Sequence, residues 1–503
     1  MTRTEPPRSL RSLPPEGAVG PLGRPGGADL TFFWHDYETF GRVPRRDRPA
    51  QFAGIRTDAE LNEIDAPVMV YCQPAPDYLP DPESCLLTGI LPQTCLERGL
   101  PEHAFADAIE EQLARPGTVG VGYNSIRFDD EVTRHLFWRC LIDPYAREWQ
   151  NQCGRWDILD LVRAAWALRP EGIEWPLHED GRPSFKLEHL TKANGLAHDA
   201  AHDALSDVRA TIALARLIKT KQPKLWDFCL RLRKKDAVVA EMGVGKPFLH
   251  VSGMYGVERG ALALVWPMAP HPSNKNEVIV WDLSADPAEL LTLNAEAIRP
   301  RLFAKAEELP EGVTRLPIKT IHINKSPIVI GNLKTLNDAT AAKWGLDLGL
   351  AHRHAEVLKQ KANLLAGIWP AVFERPAREG TTDVDEDLYG GFVGNEDRRA
   401  LERLRTLSGS ELAAQRPAFA DARLDELLFR FRARNFPETL SGPEQLQWQQ
   451  HCAHRLHDGA GGALTLQAFF ERIDILEEAA DERGQDILGA LVDYATGIAP
   501  ELE

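Results

Sequence analysis

Residues 30–39 read LTFFWHDYET. Positions 30–35 are apolar and aromatic and predict a first strand, with HDYET, residues 35–39, at its end. Asp36 and Glu38 stand two apart, which in a strand puts both carboxylates on one face. Two acids aimed together repel each other unless a cation bridges them. A lone Asp-x-Glu is ordinarily a polar strand edge, so its meaning depends on what the rest of the chain supplies.

Further strands are predicted at 50–56, 68–73 and 118–123, and helices at 104–115, 130–141, 157–168 and 203–219. In the last helix Leu205, Val208, Ile212 and Ala215 are spaced to face a core. This order predicts a mixed α/β domain, with helices against a central sheet, ending near residue 222. Short strands at 247–257, 261–268, 277–283, 315–323 and 327–331, separated by turns rich in Pro, Asn, Gly and Ser, predict a β-rich domain over about 224–370. A polar boundary near 372–386 leads to helices at 395–407, 421–431, 443–456, 464–478 and 483–496, an all-helical module. Residues 1–28 hold many Pro and Gly and no apolar stretch, and read as a flexible tail rather than a signal peptide.

The chain has 503 residues, which calls for two or three domains. Its formal charge of −16 argues against a general DNA-binding coat. A nuclease is still compatible with it, needing acids for its metals and only a local basic track. The seven cysteines (72, 85, 95, 140, 153, 229 and 452) form no CxxC pair, which argues against a disulfide framework or structural zinc and fits a reducing compartment. No run of 18 apolar residues occurs, so no membrane span is predicted. No G-x-G-x-x-G follows the first strand, which excludes a dinucleotide-binding enzyme of the Rossmann type.

Two more segments carry chemistry. In GYNSIRFDDE, residues 122–131, Asp129 and Asp130 stand at a helix start, where one of them could simply cap the helix. In AHDAAHDALSDV, residues 197–208, the spacing His-x4-Asp occurs twice, as His198…Asp203 and His202…Asp207, and spacing alone does not choose between them. Asp203 and Asp207 lie one helical turn apart on one face. Taken together, a strand Asp-x-Glu, a helix-start Asp and a helical His-x4-Asp supply what hydrolysis of a phosphodiester with two divalent ions requires. Histidine can also serve as the base near neutral pH.

That order of motifs, with HDYETFG, RPAQFAGIRTD, GYNSIRFDDEVTR, WDILDLVRA, ALRPEGIEWP, SFKLEHLTKANG, AHDALSDVRATIALARL, HVSGMYG, IHINKSPI and FRARNFPETL, resembles the bacterial exonuclease I (exodeoxyribonuclease I) family. This is the single-strand-specific branch of the DnaQ-like superfamily with an Asp-Glu-Asp-Asp-His site. The resemblance runs from about residue 30 to near the C-terminus. It implies a ribonuclease-H-like α/β exonuclease domain over 29–222, an SH3-like β-rich domain over 223–371, a linker over 372–386 and an all-helical C-terminal domain over 387–503, closing a C-shaped channel. It implies processive 3′ to 5′ hydrolysis of single-stranded DNA to 5′-mononucleotides, in DNA repair, by a cytoplasmic monomer. Asp36, Glu38 and Asp207 would hold two Mg²⁺ ions, with Asp129 supporting the second and Mn²⁺ able to substitute. His202 would be the general base, which leaves His198 without a part.

The strand path should combine cations with aromatic rings. Thr39, Phe40 and Arg127 are expected near the site, and Arg163, Lys186 and Lys192 further out. Lys319, Lys325 and the stretch Arg430–Phe436 are expected along the channel, and the run Arg231, Arg233, Lys234 and Lys235 faces either DNA or water. By the same resemblance, Arg169 would receive the C-terminal tail of the single-strand DNA-binding protein.

Overall fold

The computed structural model describes residues 30–198, 203–243, 245–374 and 382–500. Strand β1 (Thr31–Thr39) is longer than the predicted 30–35 and contains the acidic segment within it. It pairs antiparallel with β2 (Pro49–Thr57), which pairs with β3 (Val68–Tyr71). On its other side β1 pairs parallel with β4 (Thr118–Gly122), and β4 with β5 (Gly154–Asp157), giving the order β3-β2-β1-β4-β5. Gly54 on β2 is needed where it stands, because a Cβ there would lie 2.3 Å from the Phe33 ring. The predicted third strand ends early, and Cys72 makes only an isolated bridge to Leu100.

Helices α1 (Pro82–Thr88), α2 (Pro92–Arg98), α3 (Glu102–Leu113), α4 (Asp129–Arg139), α5 (Ile158–Leu168), α6 (Leu187–Ala193), α7 (Ala204–Lys221), α8 (Pro223–Arg231) and α9 (Lys235–Met242) complete the first part of the chain. The alternation of β1 sorts its side chains. Phe32 and Trp34 share one buried cluster with Val208, Ile212 and Trp226 of α7 and α8. Phe33 and Tyr37 face the other way, into a cluster with Leu136 of α4.

The second part is an antiparallel sheet in the order β10-β6-β7-β8-β9, built from β6 (Phe248–Val251), β7 (Leu262–Pro270), β8 (Glu277–Asp282), β9 (Ile318–His322) and β10 (Ile328–Ile330). The strand predicted over 247–257 is shorter, because SGMYG turns the chain after Val251. Helices α10 (Ala295–Phe303), α11 (Asp338–Lys343), α12 (Leu348–Gln360), α13 (Ala362–Ala366) and α14 (Trp369–Val372) accompany this sheet.

The third part is helical: α15 (Asn395–Leu404), α16 (Gly409–Ala413), α17 (Arg423–Asn435), α18 (Gly442–Leu456), α19 (Leu466–Glu477) and α20 (Glu482–Ile498). Leu401, Leu404 and Phe431 join the cluster of Phe33 and Tyr37. Leu488 and Leu491 join a cluster with Phe40, just beyond β1, and Ala50 of β2. No helix among the described residues is long and apolar enough to cross a membrane.

Candidate active site

Asp36 and Glu38 continue the same face of β1 that carries Phe32 and Trp34, so one stripe passes from core to acid. Helix α7 crosses that face. Its start is set by Asp203, whose carboxylate caps Ser206 N at 3.0 Å, and by Gln51 of β2, whose Oε1 accepts from Ala204 N at 3.3 Å. One turn further on is Asp207. Ligand atoms of Asp36, Glu38 and Asp207 all lie within 4.8 Å of one another.

Asp129 comes from the first turn of α4 and is only 3% exposed. Its Oδ1 accepts from Tyr37 N at 3.1 Å, which ties it to β1 between the two acids. The Tyr37 hydroxyl meets Thr133 Oγ1 at 3.0 Å, and that hydroxyl donates to Asp129 O at 2.8 Å. Asp129 is therefore held across to the strand and does not act as a free helix cap.

Burial, and then the neighbouring charges of Asp129, Glu38 and Asp207, hold the Asp36 carboxyl well above the usual range. Burial and Asp207 push Glu38 up to about 8, and burial with Asp130 nearby raises Asp129 to about 8. Buried acids that resist ionising together fit a hard divalent cation, whose charge would offset the repulsion. The donors offered are all oxygens, which suits such an ion.

The next acid has another task. Asp130 accepts from Arg147 at 2.6 Å and from Arg155 at 2.9 Å. Burial opposes its charge, but the two guanidinium groups hold its carboxyl well below the ordinary range. Asp157 fixes the turn before α4, accepting from Asn124 N at 2.9 Å and Ile126 N at 3.2 Å while capping Leu159 N. His35 precedes Asp36 but points to the opposite face, stacked on Phe52, where burial lowers it to about 4. It is a core residue. None of these three roles was legible from spacing.

His198 Nε2 is 2.6 Å from Asp207 Oδ1. His202, the expected base, lies outside the described residues. Arg127 is exposed and lines a cleft of about 260 Å³ with Asn124, Arg163, His322 and Lys325. Arg163 is paired with Asp160 at 2.5 Å, and Lys325 with Glu131 at 3.6 Å. Lys186 and Lys192 are exposed just before and at the end of α6, which packs on α7. Thr39 is nearly buried, and its hydroxyl donates to Gly41 O at 2.6 Å.

Two expectations are corrected, for Phe40 and for Arg430–Phe436, and a third residue, Lys319, is placed without being tested. The Phe40 ring is buried at 1% exposure between the first sheet and α20, so it is not available to stack on a base. The stretch Arg430–Phe436 is structural. Arg430 pairs with Asp383 at 2.8 Å, Arg432 with Glu444 at 2.5 Å, and Arg434 with Asp77 at 2.8 Å and Asp385 at 2.5 Å, while Phe431 lies in the core. Lys319 sits over the Tyr255 ring at 4.1 Å and donates to Met254 O.

A second surface surrounds Arg169, which donates to Thr335 Oγ1 at 3.1 Å. It borders a cavity of about 520 Å³ floored by Leu225, Phe228 and Ile330, with Lys224 on its rim.

Two strand acids and a helical Asp meet on one face of a mixed sheet, with the helix-start Asp129 tied between the strand acids, and the family model described as "Exonuclease" matches residues 33–215, so the class is that of an exonuclease. The models for the exonuclease I SH3-like domain and the exonuclease I C-terminal domain match residues 233–375 and 382–498. The chain belongs to the exonuclease I family and is an exodeoxyribonuclease. It is 45% identical over 477 residues to exodeoxyribonuclease I of Escherichia coli strain K12, covering 94% of this chain and 99% of that one. A solved exonuclease I from Methylocaldum szegediense is 50% identical, covers 93% of this chain and 99% of its own, and superposes with a TM-score of 0.89. E. coli exonuclease I in complex with a dA16 oligonucleotide is 42% identical, covers 94% and 100%, and also gives 0.89. A zinc-bound complex of the E. coli enzyme with single-stranded DNA gives 0.87, and a structure described as SSB with exonuclease I and an inhibitor gives 0.85.

Proposed function

We propose that this chain removes 5′-mononucleotides one at a time from the 3′ end of single-stranded DNA, processively and with divalent ions. The observation that carries the reading is the meeting of Asp36, Glu38 and Asp207, with Asp129 tied to the strand between the first two. The oligonucleotide complexes of the E. coli relative support the choice of substrate.

In this reading Asp36, Glu38 and Asp207 hold two Mg²⁺ ions, Asp129 supports the second, and Mn²⁺ substitutes. The ions supply Lewis acidity, lowering the pKa of water and offsetting charge on the phosphate. His202 accepts the proton of the attacking water. The water oxygen bonds to phosphorus as the bond from phosphorus to the 3′ oxygen breaks. Thr39 stands beside the terminal nucleotide, and Arg127, Arg163, Lys186 and Lys192 hold phosphates behind it. The division of labour follows 29–222, 223–371 and 387–503, with the monomer acting in the cytoplasm in DNA repair. The apolar cavity beside Arg169 receives the acidic, apolar-ended tail of the single-strand DNA-binding protein, its terminal carboxylate on the guanidinium.

The test is a time course on 5′-labelled single strand, duplex and RNA, with Mg²⁺ or with EDTA. Stepwise loss from the 3′ end of the single strand alone, only with Mg²⁺, is the expected result. Equal degradation of duplex, or cleavage that survives EDTA, sinks the reading.

A further inference from the structure

The turn that leads into α4 is tightly drawn and held from outside. Asn124, just after β4, has φ of 64°, a left-handed conformation uncommon away from glycine. Ser125 comes so close to β4 that a Cβ on Gly122 would lie 2.6 Å from its own Cβ. Ser125 O accepts from Phe128 N at 3.3 Å and from Asp130 N at 2.9 Å, which starts the helix. The residue before the helix, Phe128, has no side-chain oxygen to cap it.

The fastening comes from the neighbouring strand. Asp157 ends β5, and its backbone pairs with Gly122 at the end of β4. Its Oδ1 accepts from Asn124 N and from Leu159 N, each at 2.9 Å, and its Oδ2 accepts from Ile126 N at 3.2 Å. One carboxylate therefore caps α5 and fixes the turn. That turn carries residues of two kinds. Arg127 is exposed, hangs from Asn124 O by its N–H at 3.4 Å, and lines the cleft of about 260 Å³ together with Asn124 and Asp157. Asp129, two residues on, is buried and is tied to Tyr37 N between the strand acids. Asp157 itself stands outside the group of Asp36, Glu38 and Asp207.

We infer that Asp157 is a positioning residue for hydrolysis. It keeps Arg127, which holds a phosphate, in register with Asp129, which supports a metal ion, by gripping the backbone that precedes both. A shift of about 1 Å between a bound phosphate and the reacting groups is enough to cost about 10²-fold in rate. The inference rests on the exonuclease reading above, so binding and hydrolysis are measured separately.

Asp157→Ser and Asp157→Ala are compared with wild type. A serine hydroxyl still caps Leu159 N, but it offers one oxygen where three N–H groups were served. Asn124 is exposed, so water takes the place of the carboxylate there. Asp157→Ser should therefore melt close to wild type, and Asp157→Ala lower. Well below either melting temperature, the single-turnover rate at saturating Mn²⁺ should fall about 10²-fold in both. Affinity for a long single strand in EDTA, spread over many phosphates, should stay within about twofold. A wild-type rate in Asp157→Ser overturns the inference, because capping α5 is then the whole use of the residue. Equal losses of rate and strand affinity overturn it too, because the chain is then loosened generally. Calorimetry with Mn²⁺ separates this from the reading beneath it. Asp157→Ser should bind Mn²⁺ about 10- to 100-fold more weakly, as when a ligand loses its outer support. Unchanged Mn²⁺ affinity sinks the role of Asp157, whereas a wild type that binds strand and metal but hydrolyses nothing sinks the exonuclease reading.

Discussion

His198 Nε2 and Asp207 Oδ1 are 2.6 Å apart, so the first histidine of the repeated His-x4-Asp pattern grips the aspartate that the second pattern claims. Its other nitrogen lies 3.3 Å from Thr191 Oγ1 on α6, which fixes the ring between two helices. An outer partner of this kind orients a ligand carboxylate without touching substrate. The two histidines then have separable signatures. His198→Ala should weaken Mn²⁺ affinity about 10- to 100-fold, with activity recovered at high metal. His202→Ala should leave metal affinity intact and lose about 10²–10⁴ in single-turnover rate at saturating metal. Metal titration by calorimetry alongside quench-flow rates distinguishes them. A normal metal affinity in His198→Ala removes the orienting role.

The Asp36 carboxylate is expected to be indispensable and destabilising at once. Asp36→Asn should nearly abolish cleavage while single-strand binding, which comes mainly from phosphate contacts, survives. Without a divalent ion it should also be more stable than wild type by about 1–2 kcal/mol, because one member of a repelling cluster is neutral. Chemical denaturation in EDTA at pH 8 tests this, and a less stable variant contradicts it.

The same cluster gives stability a direction with pH. Glu38 and Asp129 titrate near 8 in the fold but from ordinary values of 4.5 and 3.8 when unfolded. Between those limits the folded chain keeps protons that the unfolded chain has lost, so this contribution falls as pH rises from about 4 to about 8. A bound divalent ion removes the penalty. The rise in melting temperature on adding Mg²⁺ should therefore be larger at pH 8 than at pH 5.5, and the pH dependence of that rise should shrink in Asp36→Asn. A rise independent of pH in wild type would argue against ionisation of these acids on metal binding.

Arg169 lies away from the acids, at the rim of the cavity floored by Leu225, Phe228 and Ile330. Arg169→Ala should weaken binding of an acidic peptide ending in an apolar residue by about tenfold or more, the worth of a charge-assisted contact. Its rate on bare single-stranded DNA should not change. Equal peptide affinity for both proteins, measured by anisotropy, refutes the assignment.

Sequence reading reached the elements that obey strong periodicity. β1, β2, β4, α5 and α7 stand where alternation and 3.6-residue spacing placed them, within a few residues. It passed over α1, α2 and β5, which are too short to carry a period. In the site, Asp36 and Glu38 were legible because strand geometry alone sets their facing. Asp203 was ambiguous with Asp207 because both share a helical face; the structure separates them, with Asp203 capping Ser206 N and Asp207 gathered with Asp36 and Glu38. The arginines of FRARNFPETL misled for a related reason. A basic run looks alike whether it meets phosphates or buried aspartates, and Asp77, Asp383 and Asp385 come from distant parts of the chain.

The strand bearing Asp36 and Glu38, near the start of the sequence, is covered by residues from near its end. Phe33 and Tyr37 of β1 are packed by residues up to Phe431, and Phe40 just beyond it belongs with Leu488 and Ala495. During synthesis all four acids leave the ribosome long before the residues that finish their surroundings. The nascent chain thus carries all four acids before the residues that cover the far face of their strand exist, and Phe33, Tyr37 and Phe40 lack that cover until the last helices are made.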